Sequence, residues 1–585
     1  MKPIEVLVVS VVPVLNNIMF QAIHYDYYTK TAYLRDDELG WQIFEYYPTY
    51  YKIDPNGEYD TLDGKKARPT QKYDREDPNL YEKDKDRCNS ILMDIYLESD
   101  EVPSFHKNVF LDIETEMGGA INLEYCQRAP SKITSIAIYD ATSKEYIVWI
   151  LDPKNKIESK SSKGRKVISC TNENYLLSAF LDMWQEIDPT NLIHWNGDNF
   201  DVPYLYNRMR KILGDQKAKS LSPIGIVQFD ERDLKMPYKI GGINSMDYLR
   251  LYKKFIPKQQ PSYSLDAISN TELGYGKIKY EGSLDHLYNT DIDKFIEYNI
   301  NDVKLIVDID EKKKFLDLAI MLGHMGHVPY HYVYQSSRLI EGAIMTYLKR
   351  KNIVSPNKPT TINPELKLQL AEENEDDDKF AGAYVKEPVP GLYGWNIDLD
   401  EQSLYPLTIL QLNASPETLL FKIITSDPLD MSWTLKQMKE KNPEMKIQCR
   451  HSNGRVYYTK LKKIIRFIVQ NEAAVAPNGT VYSTDETGII CEVVEDWFRK
   501  RNEFKALMKK HGKLGDDIKY AFYDQMQSTM KIFLNSIYGV LGLKSFRYSD
   551  GEDILAESVT ISGRFIITQT ADYINHKINK ELSNY

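Results

Sequence analysis

Cysteine is scarce and scattered. The 585 residues hold five, at positions 88, 126, 170, 449 and 491, with no CxxC pair and no neighbouring histidine to complete a ligand set. Neither a zinc module nor a disulfide framework is indicated, and a reducing compartment suits such a chain. An excess of positive charge is also missing. The formal net charge of -10 argues against uniform electrostatic binding of nucleic acid, but a local basic groove can coexist with an acidic total. No run is apolar for long enough to span a bilayer. The apolar N-terminus, Ile4 to Leu15, is interrupted by Glu5 and followed by no small-residue cleavage site, so it reads as a buried strand and not as a signal peptide. Internal repeats and long low-complexity segments are lacking as well.

What remains is an ordinary globular composition, 42% hydrophobic over 585 residues, with room for roughly three to five domains of about 100–200 residues each. Tyrosine is abundant, and the clusters YDYYTK and FEYYPTYYK in the first fifty-odd residues predict strand-rich, half-exposed sheet surface. Residues 55–90 are charged and turn-rich, and read as surface loops. The acidic run Glu372 to Asp378 reads as a solvated linker into a new domain. From 496 to 580 there is no proline, and apolar and cationic residues recur every three or four positions, which predicts long helices.

Two sets of residues carry chemistry. In NVFLDIETE, Asp112 and Glu114 lie two apart after an apolar run, so on a strand both carboxylates leave the same face. HWNGDNFDVPYL adds Asp201, and IEYNINDVKLI places Tyr298 and Asp302 four apart, on one helical face. Hard oxygen ligands of this kind suit magnesium or manganese. A pair of such ions can generate a hydroxide and stabilise a leaving oxygen, while a phenol orients the water. A single DxE is ordinary solvated surface; the ordered set FLDIE, NxxxFD, YxxxD is not.

The second set begins in GWNIDLDEQSLYP, where Trp395, Ile397 and Leu399 alternate with Asn396, Asp398 and Asp400, predicting a strand with two carboxylates on one face before SLYP turns the chain. In DWFRKRNEFKALMKK, Arg501 and Lys505 share a helical face; so do Lys531, Asn535 and Tyr538 in KIFLNSIYG. Two such helices would present a cationic cleft, suited to the oxygens of a triphosphate.

Taken together these motifs resemble the family B DNA polymerases. FLDIE, NxxxFD and YxxxD resemble their 3′–5′ exonuclease domain; SLYP and KxxxNSxYG resemble their motifs A and B. QPSYSLDAIS and the following KIKYEG are similar to the T-even-type bacteriophage branch. The resemblance implies that Asp112, Glu114, Asp201 and Asp302 bind the exonuclease metals, with Tyr298 assisting the attacking water. It implies a metal-binding role for Asp400, with Asp398 a supporting or merely exposed acid. Tyr405 would lie beneath the incoming sugar and exclude a ribose 2′-hydroxyl, with the backbone of Leu404 and Tyr405 near the triphosphate. Arg501, Lys505 and Lys531 would hold the triphosphate, with Asn535 beside them, and Tyr538 and Gly539 would check the nascent pair from its minor-groove side. SFRYSD and ESVTISGR resemble the family's return into the palm.

The resemblance further implies a mixed α+β, multidomain fold: a β-rich N-terminal domain (1–106, returning at 316–379), an RNase H-like exonuclease domain (107–315), a first part of the palm (380–483), helical-hairpin fingers (484–543) and an incomplete second part of the palm (544–585). Two Mg2+ or Mn2+ ions would serve each active site. No DTDS-like motif C and no thumb occur in the sequence, so nucleotide addition is expected to need a second fragment carrying both, from a naturally split polymerase or from the remainder of a truncated one. Expected partners are primer-template DNA, a deoxynucleoside triphosphate and that fragment; a sliding clamp, other replisome proteins and RNA are further candidates, and no membrane is expected. The setting implied is the cytoplasm of an infected bacterial host. The rival reading is a non-enzymatic RNA- or DNA-binding protein on a remnant polymerase scaffold; the intact acidic set argues against it.

Overall fold

The strand Asn108–Thr115 converts sequence alternation into two chemically different faces. Val109, Leu111 and Ile113 are buried in the core, while Asp112 and Glu114 leave the opposite face half-buried. In the computed structural model, which describes residues 20–99, 105–116, 122–359, 382–392 and 398–582, this strand sits within a seven-stranded mixed sheet. The order runs Lys160–Ser162, Arg165–Cys170, Glu145–Leu151, Ile133–Asp140, Asn108–Thr115, Asn191–His194 and Asn244–Asp247. Asn108–Thr115 pairs antiparallel with Ile133–Asp140 and parallel with Asn191–His194, which in turn runs parallel to Asn244–Asp247. The two parallel strands end at the same side, so the loop after His194 is brought beside the start of the helix Tyr248–Phe255, which follows Asp247 directly.

Helices cover this sheet. Glu173–Ile187 is capped by the Asn172 side chain, which accepts from the amide of Tyr175. The helix Asp201–Leu213 is fixed by a buried ion pair: Arg208 Nε and Nη2 donate to Glu173 Oε1 and Oε2 at 2.7 and 2.6 Å, and Glu173 Oε1 also accepts from the amide of Ile133. Trp149, Phe180 and Tyr204 fill the core between. The 22-residue helix Ile292–Lys313 carries Tyr298 and Asp302. An antiparallel three-stranded sheet, Phe20–Asp26, Thr31–Asp36 and Gly40–Glu45, belongs to the same compact unit, which comprises Met1–Pro48 and Asp86–Gln335. Tyr28 at its first turn is 98% exposed and Tyr25 is buried, in keeping with the half-exposed tyrosine surface read from sequence.

The second unit, Thr49–Lys85 with Ser336–Tyr585, holds a five-stranded sheet of order Ile353–Val354, Tyr59–Thr61, Lys66–Thr70, Tyr50–Ile53 and Leu80–Tyr81. Three of these strands fall within residues 55–90, which the sequence reading takes as surface loops. Backbone pairing supplies the order there while most of the charged side chains point to solvent, so side-chain composition hides the strands. Arg547 is wholly buried and bonds Asp84 Oδ1, Glu341 Oε1 and the Pro356 carbonyl, tying three distant segments together. A second sheet, Val456–Lys460, Lys446–His451, Leu419–Ile423, Thr480–Tyr482 and Ala474–Val475, is antiparallel throughout and packs its own small core with the helix Leu461–Gln470.

The long helices expected after residue 496 are present. Ile489–Leu514 and Asp517–Leu541 form a hairpin reversed at Gly515, whose φ of 69° is the left-handed conformation that favours glycine. Trp497 meets Phe533 edge-to-face at 4.8 Å near its base. The helix Ile554–Leu582 follows. Mixed α+β architecture is therefore what the chain adopts. The strand expected at 395–400 is not seen in its described part: Asp398, Leu399 and Asp400 are exposed and lie in no strand, and residues 393–397 fall outside the described residues. The N-terminal strand and the acidic linker also fall outside them. No described helix is long and apolar enough to cross a membrane.

Candidate active sites

Asp112 and Glu114, one pleat repeat apart, meet Asp302 from the helix Ile292–Lys313. One carboxylate oxygen from each lies within 4.8 Å of the others. Asp302 is 1% exposed, and its Oδ1 has no hydrogen-bond partner among the described residues. A buried, unpaired acceptor beside two more carboxylates costs free energy unless a cation or water fills the gap. Asp201, the first residue of its helix, stands outside this trio; its Oδ1 accepts from the amide of Ile113, between the two strand acids, at 3.1 Å.

Charge is concentrated here, and the acids show it. Burial, then the neighbouring charges of Glu114, Asp201 and Asp302, push Asp112 well above the usual carboxylate range. Burial and Asp302 push Glu114 up to about 8, and burial pushes Asp201 up to about 6. Asp302 is raised by burial, against the pull of Lys277. The donor set is all oxygen, of the kind that hard divalent cations take.

Three supporting residues escaped the sequence reading. Asn299 Nδ2 donates to Asp112 Oδ2 at 2.7 Å while its Oδ1 accepts from Ser135. Lys277 Nζ donates to Asp302 Oδ2 at 2.6 Å and to the Tyr298 hydroxyl at 3.2 Å. Burial would lower this ammonium, but Asp302 and Asp112 more than offset it and hold its pKa raised. Asp266 accepts from the amide of Lys277 at 2.7 Å, and a Cβ on the preceding Gly276 would sit 2.2 Å from Asp266 Oδ1. The sequence signal existed: QPSYSLDAIS contains Asp266 and KIKYEG opens with Lys277. Tyr298, 7% exposed, is raised by burial and Asp302, which keeps its hydroxyl protonated.

In the second unit, Leu404 and Tyr405 open the helix Leu404–Leu412, after Ser403 in a left-handed conformation with φ of 59°. The ring of Tyr405 stacks on that of Tyr538 at 4.2 Å, and the Tyr538 hydroxyl shares a hydrogen with Thr560 Oγ1. Across the hairpin, burial and the charges of Arg501, Lys509 and Lys531 lower Lys505, so four cations stand close together. Burial lowers Arg501 as well, and its Nε is buried with no partner among the described residues. Asn535 is exposed on the same helix as Lys531. Asp400 is exposed too, and among the described residues it joins no group of three metal-ligating side chains.

Comparison with known proteins matches both halves of this arrangement. The model for "DNA polymerase family B, exonuclease domain" covers residues 48–268, and that for "DNA polymerase family B" covers 328–585. The chain belongs to the family B DNA polymerases. This family B chain is 28% identical over 471 residues to the DNA-directed DNA polymerase of Escherichia phage RB69 and 27% identical over 461 residues to that of Enterobacteria phage T4. Each match covers 70% of the chain and 46% of the relative. DNA polymerase 1 of Sulfolobus acidocaldarius is 25% identical over 500 residues, covering 82% of the chain and 49% of the relative. The family B chain thus spans about half the length of the curated relatives it matches. Asp112 and Glu114 lie inside the first matched stretch and Asp302 lies between the two, so the meeting of Asp302 with the strand acids is read from the structure and not from those matches.

Proposed function

We propose that this chain removes nucleotides from DNA 3′ ends by metal-assisted hydrolysis and carries the nucleotide-binding part of a DNA-directed DNA polymerase. The observation that supports the exonuclease most directly is the meeting of Asp112, Glu114 and Asp302, with the buried Oδ1 of Asp302 left unpartnered. Two Mg2+ or Mn2+ ions, when bound, would supply a hydroxide and stabilise the leaving 3′ oxygen. Asp112, Glu114, Asp201 and Asp302 would hold them. Asn299 fixes the rotamer of Asp112 and leaves its other oxygen free to ligate. Lys277 offsets part of the negative charge on Asp302 and holds the Tyr298 hydroxyl, which would steer the attacking water. Water adds to phosphorus as the bond to the 3′ oxygen of the preceding nucleotide breaks.

For polymerisation, the deoxynucleoside triphosphate would lie against Arg501, Lys505 and Lys531, with Asn535 beside them. The backbone of Leu404 and Tyr405 would approach the triphosphate, and the stacked pair Tyr405–Tyr538 would lie under the sugar and beside the new base pair. Asp400 would contribute a metal ligand. A further carboxylate from a motif C segment, with a thumb to grip primer-template DNA, would come from outside residues 1–585, in the same or a second polypeptide. The working division is exonuclease at 107–315, palm at 380–483 and 544–585, and fingers at 484–543. The host cytoplasm during phage infection, with a sliding clamp as a further partner, is the setting that suits this reading.

The test is a 5′-labelled single-stranded oligonucleotide incubated with the purified chain. Stepwise 3′ shortening with Mg2+, blocked by a chelator and lost in Asp112→Ala/Glu114→Ala, is expected. Shortening that persists unchanged in the double variant would contradict the assignment.

A further inference from the structure

The helix that carries Asp201 begins without a cap of its own: Phe200 stands at the cap position, and no side chain accepts its first amides. Its starting point has to be fixed from elsewhere. The preceding loop is held by a buried polar relay that the exonuclease reading leaves unused. His194, fully buried at the end of its strand, accepts from the amide of Gly197 at Nδ1, 3.0 Å away. That acceptance leaves the ring hydrogen on Nε2, which donates to Ser245 Oγ at 2.8 Å. Ser245 in turn donates to Asp198 Oδ1 at 2.6 Å, and Asp198 Oδ2 accepts from Arg250 Nη1 at 3.1 Å. Arg250 lies over the ring of Tyr334 at 3.9 Å.

The relay reaches the helix through Gly197. Its carbonyl accepts from the amides of Phe200 and Val202, at 3.3 and 3.0 Å, on either side of Asp201. A Cβ on Gly197 would stand 2.5 Å from His194 Cγ, so loop and imidazole pack without slack. One residue earlier, the amide of Asn196 donates to Asp247 Oδ1, which also caps the helix Tyr248–Phe255 through the amide of Leu249. The loop is thus pinned at Asn196, Gly197 and Asp198, and Asp201 then meets Ile113 between the two strand acids.

Resting on the exonuclease reading above, we propose that His194, Ser245, Asp198 and Arg250 are positioning residues that set the place of the Asp201 carboxylate and thereby the ion affinity of the exonuclease site. Among the described residues none of the four bonds Asp112, Glu114 or Asp302; their hydrogen bonds reach Asp201 through the loop. Ser245 is the most informative point, because it bonds both buried groups, which meet each other only at 3.4 Å between His194 Nε2 and Asp198 Oδ1, and it has a conservative replacement that keeps the hydroxyl.

Two measurements on the full chain test this: Mn2+ binding by calorimetry without DNA, and 3′ shortening of single-stranded DNA with KM and kcat separated. Ser245→Ala is expected to weaken Mn2+ binding and lower kcat by about 10-fold or more, the usual effect of losing an outer-shell hydrogen bond, with KM for DNA unchanged. Ser245→Thr is expected to restore both. Arg250→Met, at the solvent end of the relay, is expected to move both in the same direction by less, and serves if Ser245→Ala does not fold. A folded Ser245→Ala or Arg250→Met variant with wild-type Mn2+ affinity and kcat overturns the proposal, as does a Ser245→Thr variant as defective as the alanine. A wild-type chain that neither binds Mn2+ nor shortens DNA sinks the exonuclease reading, and this proposal falls with it.

Discussion

Tyr405 and Tyr538 stack with ring centroids 4.2 Å apart and planes 23° from parallel, so residues 133 positions apart in sequence form one layered aromatic pair. Tyr405 is confined by a helix as well, because a Cβ on Gly563 would lie 2.9 Å from its Cε1. Gly563 sits inside the helix Ile554–Leu582, where glycine is otherwise unfavourable, and close approach to Tyr405 accounts for it.

Gly563→Ala is therefore expected to shift Tyr405 and loosen sugar discrimination. In binding assays with the chain, the preference for a deoxy- over a ribonucleoside triphosphate falls, and Tyr405→Val lowers it further. Tyr538→Phe keeps the stack but loses the bond to Thr560, costing about 1 kcal/mol of stability in chemical denaturation.

Arg501 makes the opposite kind of prediction for stability. Its Nε is buried without a partner among the described residues, so the free chain carries an uncompensated cost there. Arg501→Ala should leave the unfolding midpoint unchanged or raise it, while weakening triphosphate binding by roughly 2 kcal/mol, as expected for a charge-assisted contact. Parallel thermal melts and nucleotide titrations check both signs.

The buried pair Glu173–Arg208 holds the Asp201 helix against the sheet. Glu173→Ala leaves the guanidinium without a counter-charge, held only by the Ala129 and Pro130 carbonyls, and the amide of Ile133 without its acceptor, and should cost about 3–5 kcal/mol. Replacing both residues by apolar ones should cost much less, and a double-mutant cycle in urea separates the two cases.

Metal and pH are linked through the carboxylate trio. Glu114 titrates near 8 in the folded chain against 4.5 in its unperturbed form. The folded state therefore holds the extra proton between those values, and stability is greatest below the lower one and falls as pH rises through the window. Asp201, raised from 3.8 to about 6 by burial, adds to the same trend at its lower end. Without divalent ions the melting temperature should drop from pH 5 to pH 8. Mg2+ should raise it more at pH 8, since ions bind the deprotonated acids. Glu114→Gln should flatten the pH dependence.

Much of this site was visible in the sequence because its geometry is local. The two-residue spacing of Asp112 and Glu114 and the four-residue spacing of Tyr298 and Asp302 follow directly from strand and helix periods, and the structure places these residues as those periods require. The helical hairpin Ile489–Leu514 and Asp517–Leu541 was visible for the same reason. Lys277, Asn299 and the relay around His194 were not, because each acts through a contact that only the packed sheet and helices create; His194 meets Ser245 across fifty-one positions. Strands within residues 55–90 were hidden by their charged side chains. For Asp398–Asp400, alternation predicts a strand that the described residues do not form, since alternation alone supplies no pairing partner.

The most direct test of the central claim concerns Asp302, which joins the other two acids only in the folded chain. Mn2+ binding and Mg2+-dependent 3′ shortening of single-stranded DNA should be measured on Asp302→Asn beside the wild type. Loss of at least one bound ion together with the 3′ shortening, in a protein that still melts cooperatively, is the predicted result. A folded Asp302→Asn variant that binds ions and shortens DNA as the wild type does would contradict the account.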